Sequence, residues 1–316
     1  MRASKTKAVI AHYNPIVGFL VNKQRLFVVL LLWVGGVTTL RAELPEWWQQ
    51  AHNYNGVSDW NSYMKYTAAY FGPNALPVPE LSDGTISLKH RAEMSADVFW
   101  GFGDQTQSLS SRFTYVFIPG RLAITGSGVF LEHYKTTNAV RDYRASMVES
   151  AQETFLIGDY YISTQMALLR ETACKPGVSL DIMLKTASSE TSAGARYFDT
   201  PGYAFRLATG KTWVSRTSLV DSIRFAANLG FLCYQLNNRN QNDALLFGAL
   251  LCFYHGNLAL EGGIGGYSGW IGGDKPLVLR AKLSWKRGSM NYFMGYQHAL
   301  RDYPFRRLQT GLAVDF

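Results

Sequence analysis

Three segments at the C-terminal end of the chain alternate apolar and polar residues, and this pattern limits the folds that the sequence can adopt. Between residues 277 and 286 the apolar parity consists of Leu277, Leu279, Ala281, Leu283 and Trp285. The other parity carries Arg280, Lys282, Ser284 and Lys286. A repeat of two residues puts successive side chains on opposite faces of a β-strand. The segment therefore predicts a strand with one apolar and one charged face.

Two further segments continue this pattern after a turn at Arg287-Gly288. They cover residues 290–297 and 308–316, and apolar residues stand two, four and eight positions before the terminal Phe316. Strands of about ten residues, apolar on one face and with aromatic residues near their ends, are typical of transmembrane β-barrels. The terminal phenylalanine also resembles the C-terminal assembly signal of bacterial outer-membrane barrels. We therefore expect the rest of the chain to continue the pattern.

The composition agrees with a barrel. Aromatic residues make up 14% of the chain and charged residues 17%, glycine occurs 29 times, and the mean hydropathy is −0.07. In a barrel the apolar residues that face lipid are averaged with polar residues that face the lumen, so no segment resembles a membrane helix. The length of 316 residues would allow two soluble domains, but a single all-β barrel of about 200–250 residues is equally common.

The N-terminal region carries one long apolar run, Phe27–Leu40, which follows Lys23 and Arg25. Its 14 residues are too few to span a bilayer comfortably as a helix. A basic flank, a short apolar run and a small residue at Ala42 indicate a cleaved secretory signal. We predict an extended N-terminus with a Sec signal peptide over residues 1–42.

The positive charge of the full chain is concentrated in that leader. The formal net charge is +8, but residues 1–42 hold six basic residues and no acidic one, so about +2 remains after cleavage. A nucleic-acid partner, which a pI of 9.3 could suggest, therefore loses its main support.

Three cysteines without a C-x-x-C spacing predict free thiols, and no common nucleotide, zinc-protease or hydrolase motif occurs. We expect no metal and no cofactor.

Twelve segments in all alternate as strands. They cover residues 88–100, 108–118, 121–134, 160–170, 178–187, 203–213, 222–236, 243–254, 257–267, 277–286, 290–297 and 308–316. We predict an all-β fold, an antiparallel up-and-down transmembrane barrel of about 12 strands over residues 86–316. Gly126 and Gly128 break the parity of their strand, which suggests a β-bulge there. Residues 141–152 alternate weakly, and a strand there would be a thirteenth.

The connections between these segments fall into two length classes. The two longest, residues 135–159 and 188–202, follow odd-numbered strands, whereas connections after even-numbered strands are brief. Outer-membrane barrels place short turns in the periplasm and longer loops outside. We predict that the two long connections face outward.

Prolines exclude a central strand from residues 43–85. We therefore predict a periplasmic N-terminal extension that packs under or into the barrel, or stays loosely ordered.

Three stretches resemble known outer-membrane proteins. They are residues 72–81 with their three prolines, residues 158–164 beginning with Gly158-Asp159, and residues 185–188 beginning with Lys185-Thr186 and followed by residues 199–203. They resemble outer-membrane β-barrels of Bacteroidetes-type bacteria and, more distantly, the outer-membrane transporters assigned to the meta-pathway of phenol degradation. The resemblance implies a barrel of roughly twelve strands with a transport role, and it brings no catalytic residue.

Thirteen charged residues share the polar parity of their predicted strands and should line the lumen. The cations are Lys89, Arg91, Arg112, Lys185, Arg206, Arg224, Arg280, Lys282 and Lys286. The carboxylates are Glu93, Asp97, Asp181 and Glu261. The excess of cations predicts a lumen that concentrates anions. A second interpretation stays open, in which these groups pair across strands and plug a narrow lumen.

The function expected from these patterns is passive transport or binding of small solutes, anionic or aromatic, by a barrel in the cell outer membrane. Its expected partners are outer-membrane lipid and lipopolysaccharide, the barrel-assembly machinery and periplasmic chaperones. A closed structural barrel is one alternative. The other is a lipid-modifying enzyme with His133 or His298 near the rim and Ser108 close to His133, since such enzymes pair a serine with a histidine base.

Overall fold

The computed structural model describes residues 44–63, 71–147, 153–189, 196–197, 201–217, 219–236, 240–269 and 274–316. The predicted signal peptide lies outside these residues. The described strands are β1 Arg91–Gly101, β2 Asp104–Ile118, β3 Leu122–Lys135, β4 Glu153–Leu156, β5 Tyr160–Leu169, β6 Gly177–Lys185, β7 Gly202–Thr217, β8 Val220–Leu236, β9 Asn240–His255, β10 Leu258–Gly269, β11 Leu277–Arg287, β12 Met290–Arg301 and β13 Arg306–Asp315.

Twelve of these strands, all but β4, form one closed antiparallel sheet. Each long strand pairs with its neighbour along the chain, and β13 pairs with β1 from Arg91 opposite Asp315 to Trp100 opposite Arg306. The four residues of β4 pair only with the end of β3. The predicted all-β barrel of about 12 strands is therefore confirmed.

Short helices lie outside the sheet. Helix α1 covers Glu46–Ala51, a 3-10 helix covers Trp60–Tyr63, and helix α2 covers Asn138–Tyr143. Helix α2 begins after Thr137, whose side chain accepts a hydrogen bond from the backbone N–H of Val140. It occupies part of the region where weak alternation suggested a thirteenth strand. In the described part of the chain, no helix is long and apolar enough to cross a membrane.

The outer face of the barrel is apolar. Met94, Ile162 and Met294 lie on this face with exposed fractions of 60%, 51% and 63%. Water would disfavour such a surface by about 25 cal/mol for each Å² of apolar area. Trp213, Trp285 and Tyr292 lie on the same face near one end, as expected of an aromatic girdle. This face therefore contacts lipid.

The two ends of the barrel differ. One end, called here the long-loop end, carries the connections of residues 136–159 and 186–201. The opposite, short-turn end carries tight hairpins, in two of which Gly256 and Gly288 have φ of 55° and 62°. Glycine suits these left-handed positions because it has no Cβ to clash. The predicted segregation of loop length is present in the fold.

One predicted irregularity lies elsewhere. Gly126 and Gly128 pair regularly with Phe113 and Ser111, so the prediction of a bulge at these glycines was wrong. The register between β2 and β3 instead shifts at Phe130, which has no partner between Val129 and Leu131. Gly128 serves a different purpose, because a Cβ there would overlap the ring of Tyr160 on the neighbouring strand.

Residues 71–89, called here the lumen segment, run inside the barrel before β1 begins. Phe71, Leu76 and Val78 of this segment are buried and belong to the main apolar cluster. They pack near Tyr234, Tyr267 and Phe305 of the wall. The sequence left open whether this region packs under the barrel, packs into it or stays loosely ordered. Phe71, Leu76 and Val78 pack into the barrel.

Candidate functional site in the barrel lumen

The lumen segment follows an ordered path from one end of the barrel to the other. At the long-loop end, the hydroxyl of Tyr303 donates to the carbonyl of Pro73 over 2.6 Å. Farther along, the hydroxyl of Tyr234 donates to the carbonyl of Pro77 over 2.8 Å. At the short-turn end, the backbone N–H of Gly120 donates to the carbonyl of Ser87. The segment therefore traverses the lumen.

Strands β7 to β11, called here the anchoring wall, hold the segment by its backbone. The guanidinium of Arg280 donates to the carbonyls of Val78 and Pro79 over 2.6 and 2.8 Å. The side chain of Asn228 both donates to and accepts from the backbone of Ser82, each over 2.9 Å. These contacts satisfy buried backbone groups of an extended peptide that has no strand partner.

Two more arginines extend this arrangement. Nε of Arg224 donates to the carbonyl of Asp83 over 2.8 Å, and Arg206 donates to the carbonyl of Glu80. Arg206 also pairs with Asp181 at 2.6 Å, and Arg224 pairs with Glu171 at 2.6 Å. Arg206, Arg224 and Arg280 are therefore occupied by carbonyls and carboxylates of the chain itself.

Glycines of the anchoring wall form a cleft for one side chain of the segment. A Cβ at Gly263 or Gly265 would lie 3.0 or 2.9 Å from the side chain of Leu81, and one at Gly248 would overlap it. The absence of side chains at Gly263 and Gly265 thus leaves room for Leu81.

The opposite side of the lumen, called here the hydroxyl wall, consists of β1, β2, β3 and β5. Its inward residues include small hydroxyl side chains, namely Ser95, Ser110, Thr114, Thr125, Ser127 and Ser163. A cavity of about 580 Å³ separates this wall from the lumen segment. Along β1 its lining reaches from Arg91 to Phe99, which corresponds to about 26 Å.

Aromatic and charged side chains complete the lining of this cavity. Phe99, Tyr161 and Tyr303 contribute rings. Arg112 is the cation of the hydroxyl wall that reaches the segment, and its guanidinium lies 2.7 Å from the carboxylate of Glu80. The surface beside the cavity is therefore polar and aromatic, with its charges balanced locally.

A buried ionic network closes the long-loop end above the hydroxyl wall. Arg196 lies 2.6 Å from Asp104 and 2.7 Å from Glu132, and Arg144 lies 2.9 Å from Asp104. Tyr197 donates to Glu132 over 2.9 Å. Burial alone would lower the pKa of Arg196, but the carboxylates of Glu132 and Asp104 raise it instead. The two long connections are thus tied to the ends of β2 and β3.

Most of the charged residues that were predicted to line the lumen form ion pairs. Arg91 lies 3.0 Å from Asp315 and 3.5 Å from Glu93, and Asp97 lies 2.6 Å from Arg307. The remaining predicted residues found in ion pairs are Arg112, Asp181, Lys185, Arg206, Arg224 and Lys286. Pairing within the lumen, the second interpretation left open by the sequence, is therefore extensive. It removes much of the excess positive charge on which anion selectivity was expected to rest.

Three of the predicted residues differ from this pattern. Lys89 precedes β1 and has an exposed side chain, so it lies on no strand. Lys282 and Glu261 occupy opposite positions of β11 and β10, and the ammonium of Lys282 lies 4.6 Å from the ring of Phe293. Among described residues, no carboxylate lies within 4.0 Å of that ammonium.

The structure does not bring together the groups considered for lipid chemistry. His133 is paired in register with Gln107 and lies 3.5 Å from Glu153, whereas Ser108 is opposite the buried Glu132 on the inner face. His298 has a contact of 3.2 Å with Tyr296, two positions away on the same strand. His133 and Ser108 therefore lie on opposite faces of the wall.

Sequence reasoning missed the residues that fill and close the lumen. Glu80 and Asp83 lie on the lumen segment, and Arg196 lies on a long connection, so none of them has a strand parity that could mark it as inward. Asn228 and Gln297 do have inward parity, but the sequence of an uncharged amide does not indicate that it donates to a backbone carbonyl, as these two do to Ser82 and Phe305.

The terminal residue lies at the short-turn end on the lipid face. The backbone N–H of Phe316 donates to the carbonyl of His90 over 3.0 Å, and its ring lies 6.3 Å from that of Phe113. Its side chain is 60% exposed. Its role as an assembly signal stays a prediction.

Comparisons with known proteins report on the fold. No protein-family model and no curated protein sequence matches the chain. An outer-membrane channel from Pseudomonas putida F1 matches with a TM-score of 0.53 and 12% identity, over 75% of this chain and 100% of the channel. The NanC porin matches with a TM-score of 0.46 and 6% identity, over 71% and 100% of the two chains. The first likeness shows the fold of an outer-membrane channel, in agreement with the predicted location in the cell outer membrane.

Proposed function

We propose that the protein is an outer-membrane channel through which small uncharged solutes pass passively, between the lumen segment and the hydroxyl wall. The observation that carries this proposal is the cavity of about 580 Å³. Its lining follows β1 over a length of about 26 Å, close to the height of about 25 Å of the apolar band of such barrels. A closed core would have no reason to leave this space beside an otherwise tightly held peptide.

The lining also bears on the class of solute. Of the two expected classes, anionic and aromatic, the second fits the cavity better because most of the lumen cations already have partners in the chain. Hydroxyl groups such as those of Ser163 and Ser127 can bind polar substituents, and Tyr161 and Tyr303 can contact a ring. The resemblance to transporters of the phenol pathway is consistent with a small aromatic solute.

Substitutions at two neighbouring positions, one on each face of β5, test the proposed solute path. Ser163 points into the cavity, while the side chain of Ile162 is 51% exposed on the lipid face. We expect Ser163→Trp to reduce single-channel conductance in planar bilayers and to slow swelling of liposomes in small neutral aromatic or polyhydroxylated solutes. Ile162→Trp should leave both unchanged, because tryptophan is compatible with the lipid-facing surface.

The same measurements address the closed-barrel alternative. The occupied lumen and its paired charges are the observation that favours it. A folded wild-type protein with no conductance and no solute-dependent swelling would contradict the channel and support a structural barrel. Equal effects of Ser163→Trp and Ile162→Trp would place the path elsewhere.

A further inference from the structure

The residues that precede the lumen segment contact the long-loop end of the barrel. Helix α1 precedes this segment, and the indole N–H of its Trp48 donates to the carbonyl of Ala145 over 2.9 Å. Arg141 lies 4.3 Å from the ring centroid of Trp47. Arg144 donates to the carbonyl of Phe71 over 3.2 Å. Residues 44–63 and 71–75 therefore lie against the long connection of residues 136–159, at the long-loop end.

Strand β1 begins at the other end. Ser87 contacts the hairpin at Gly120, and β1 starts at Arg91, which is opposite Asp315 near the C-terminus. The 14 steps from Pro73 to Ser87 reach at most about 46–50 Å in an extended chain. That length exceeds the hydrocarbon core of about 30 Å. The lumen segment can thus connect the two sides of the membrane.

This arrangement makes two of the sequence predictions incompatible. The long connections were predicted outside and residues 43–85 in the periplasm, yet the described residues 44–63 contact the longest connection. The two predictions cannot both hold. A path over the lipid face would leave polar backbone groups without partners in hydrocarbon, so the lumen is the route available to the chain.

We propose that the barrel conducts its own N-terminal region across the outer membrane and displays residues 44–63 and 71–75 on the cell surface. The donors of the anchoring wall then have a second role beyond closing the lumen. Arg280, Asn228 and Arg224 bind backbone carbonyls of Val78, Ser82 and Asp83, which exist whatever side chains the peptide carries. Prolines at positions 73, 77 and 79 limit the number of N–H groups that need acceptors.

The native cysteines provide a test of this topology. Cys174 is exposed in the turn between β5 and β6 at the short-turn end, whereas Cys233 and Cys252 are buried. Val57 is 89% exposed, and Ala139 is exposed on helix α2 of the long connection. Intact cells carrying full-length chain would be treated with a polyethylene-glycol maleimide too large to enter porins. Val57→Cys and Ala139→Cys would be made in a Cys174→Ser background, with heat-modifiable migration as the check of folding.

We expect Val57→Cys and Ala139→Cys to be labelled in intact cells, and Cys174 of the unsubstituted chain only after permeabilisation. Labelling of Ala139→Cys without Val57→Cys, which then reacts after permeabilisation, would overturn the threading. Labelling of Cys174 in intact cells with both variants protected would overturn the orientation. Neither outcome depends on conductance, so failure of this proposal is distinguishable from failure of the proposed channel.

Discussion

The two walls of the lumen use inward-facing polar residues differently. The anchoring wall places guanidinium and amide groups against backbone carbonyls of the lumen segment, with Arg280, Asn228 and Arg224 as examples. The hydroxyl wall has short side chains such as Thr114 and Thr125, whose hydroxyls lie 2.9 Å apart and satisfy each other. Long donors fill space and hold a peptide, while short mutually paired hydroxyls leave space open. The contrast teaches that residues of the same inward parity can hold a peptide on one side of a lumen and border a cavity on the other.

The largest effect is expected at the network that closes the hydroxyl wall at the long-loop end. Arg196→Met removes the cation between Asp104 and Glu132, all three of which are buried. Uncompensated buried charge typically costs about 3–5 kcal/mol, and we expect the lower end of that range because Arg144 still pairs with Asp104. Thermal unfolding in detergent, followed by heat-modifiable migration, would measure the loss.

A matched arginine at the same end provides the control. Arg301 donates to the carbonyl of Lys275 from an exposed position. Arg301→Met should therefore change stability by less than about 1 kcal/mol. Similar losses in the two variants would mean that burial of the network does not set its contribution.

An intermediate effect is expected from filling the glycine cleft of the anchoring wall. In Gly265→Val the new Cβ would lie 2.9 Å from Leu81, and overpacking of this kind costs about 1–3 kcal/mol. Displacement of the lumen segment should widen the lumen and raise single-channel conductance. Gly262→Val, on the lipid face with nothing within 4 Å of its Cβ, should leave conductance unchanged.

Opposite behaviour of this pair would contradict the assignment of the anchoring wall. If Gly262→Val raised conductance and Gly265→Val did not, Leu81 would have no part in holding the segment. If neither variant changed conductance, the segment would not limit the cross-section available to ions.

The smallest effect is expected from the charge of Lys282. Arg280 is a poor probe of selectivity because its replacement would also release the carbonyls of Val78 and Pro79. Lys282→Glu should shift the reversal potential in a salt gradient modestly toward cations, and Lys282→Gln should give about half that shift. The shift should fade as the Debye length falls from about 10 Å at 0.1 M to about 3 Å at 1 M salt. An unchanged potential in both variants would show that ions do not pass Lys282.

The sequence by itself determined the wall of the barrel. Alternation in segments such as residues 277–286 assigns each side chain to lipid or lumen, because a strand has a period of two and lipid tolerates few polar groups. The same local rule predicted the antiparallel barrel, the number of long strands and the separation of long and short connections. The bulge at Phe130 was missed because one extra residue leaves no local compositional mark.

What occupies the lumen was decided only by tertiary structure. Arg280 meets Val78 across 202 positions of sequence, and Arg206 meets Glu80 across 126. An extended peptide whose backbone carbonyls accept hydrogen bonds from the wall shows no periodic pattern in its sequence. A cation on the inner face likewise has the same sequence pattern whether it contacts water, a carboxylate or a backbone carbonyl. Parity is a local property of one strand, whereas pairing depends on the register of the closed sheet and on the path of a segment outside it.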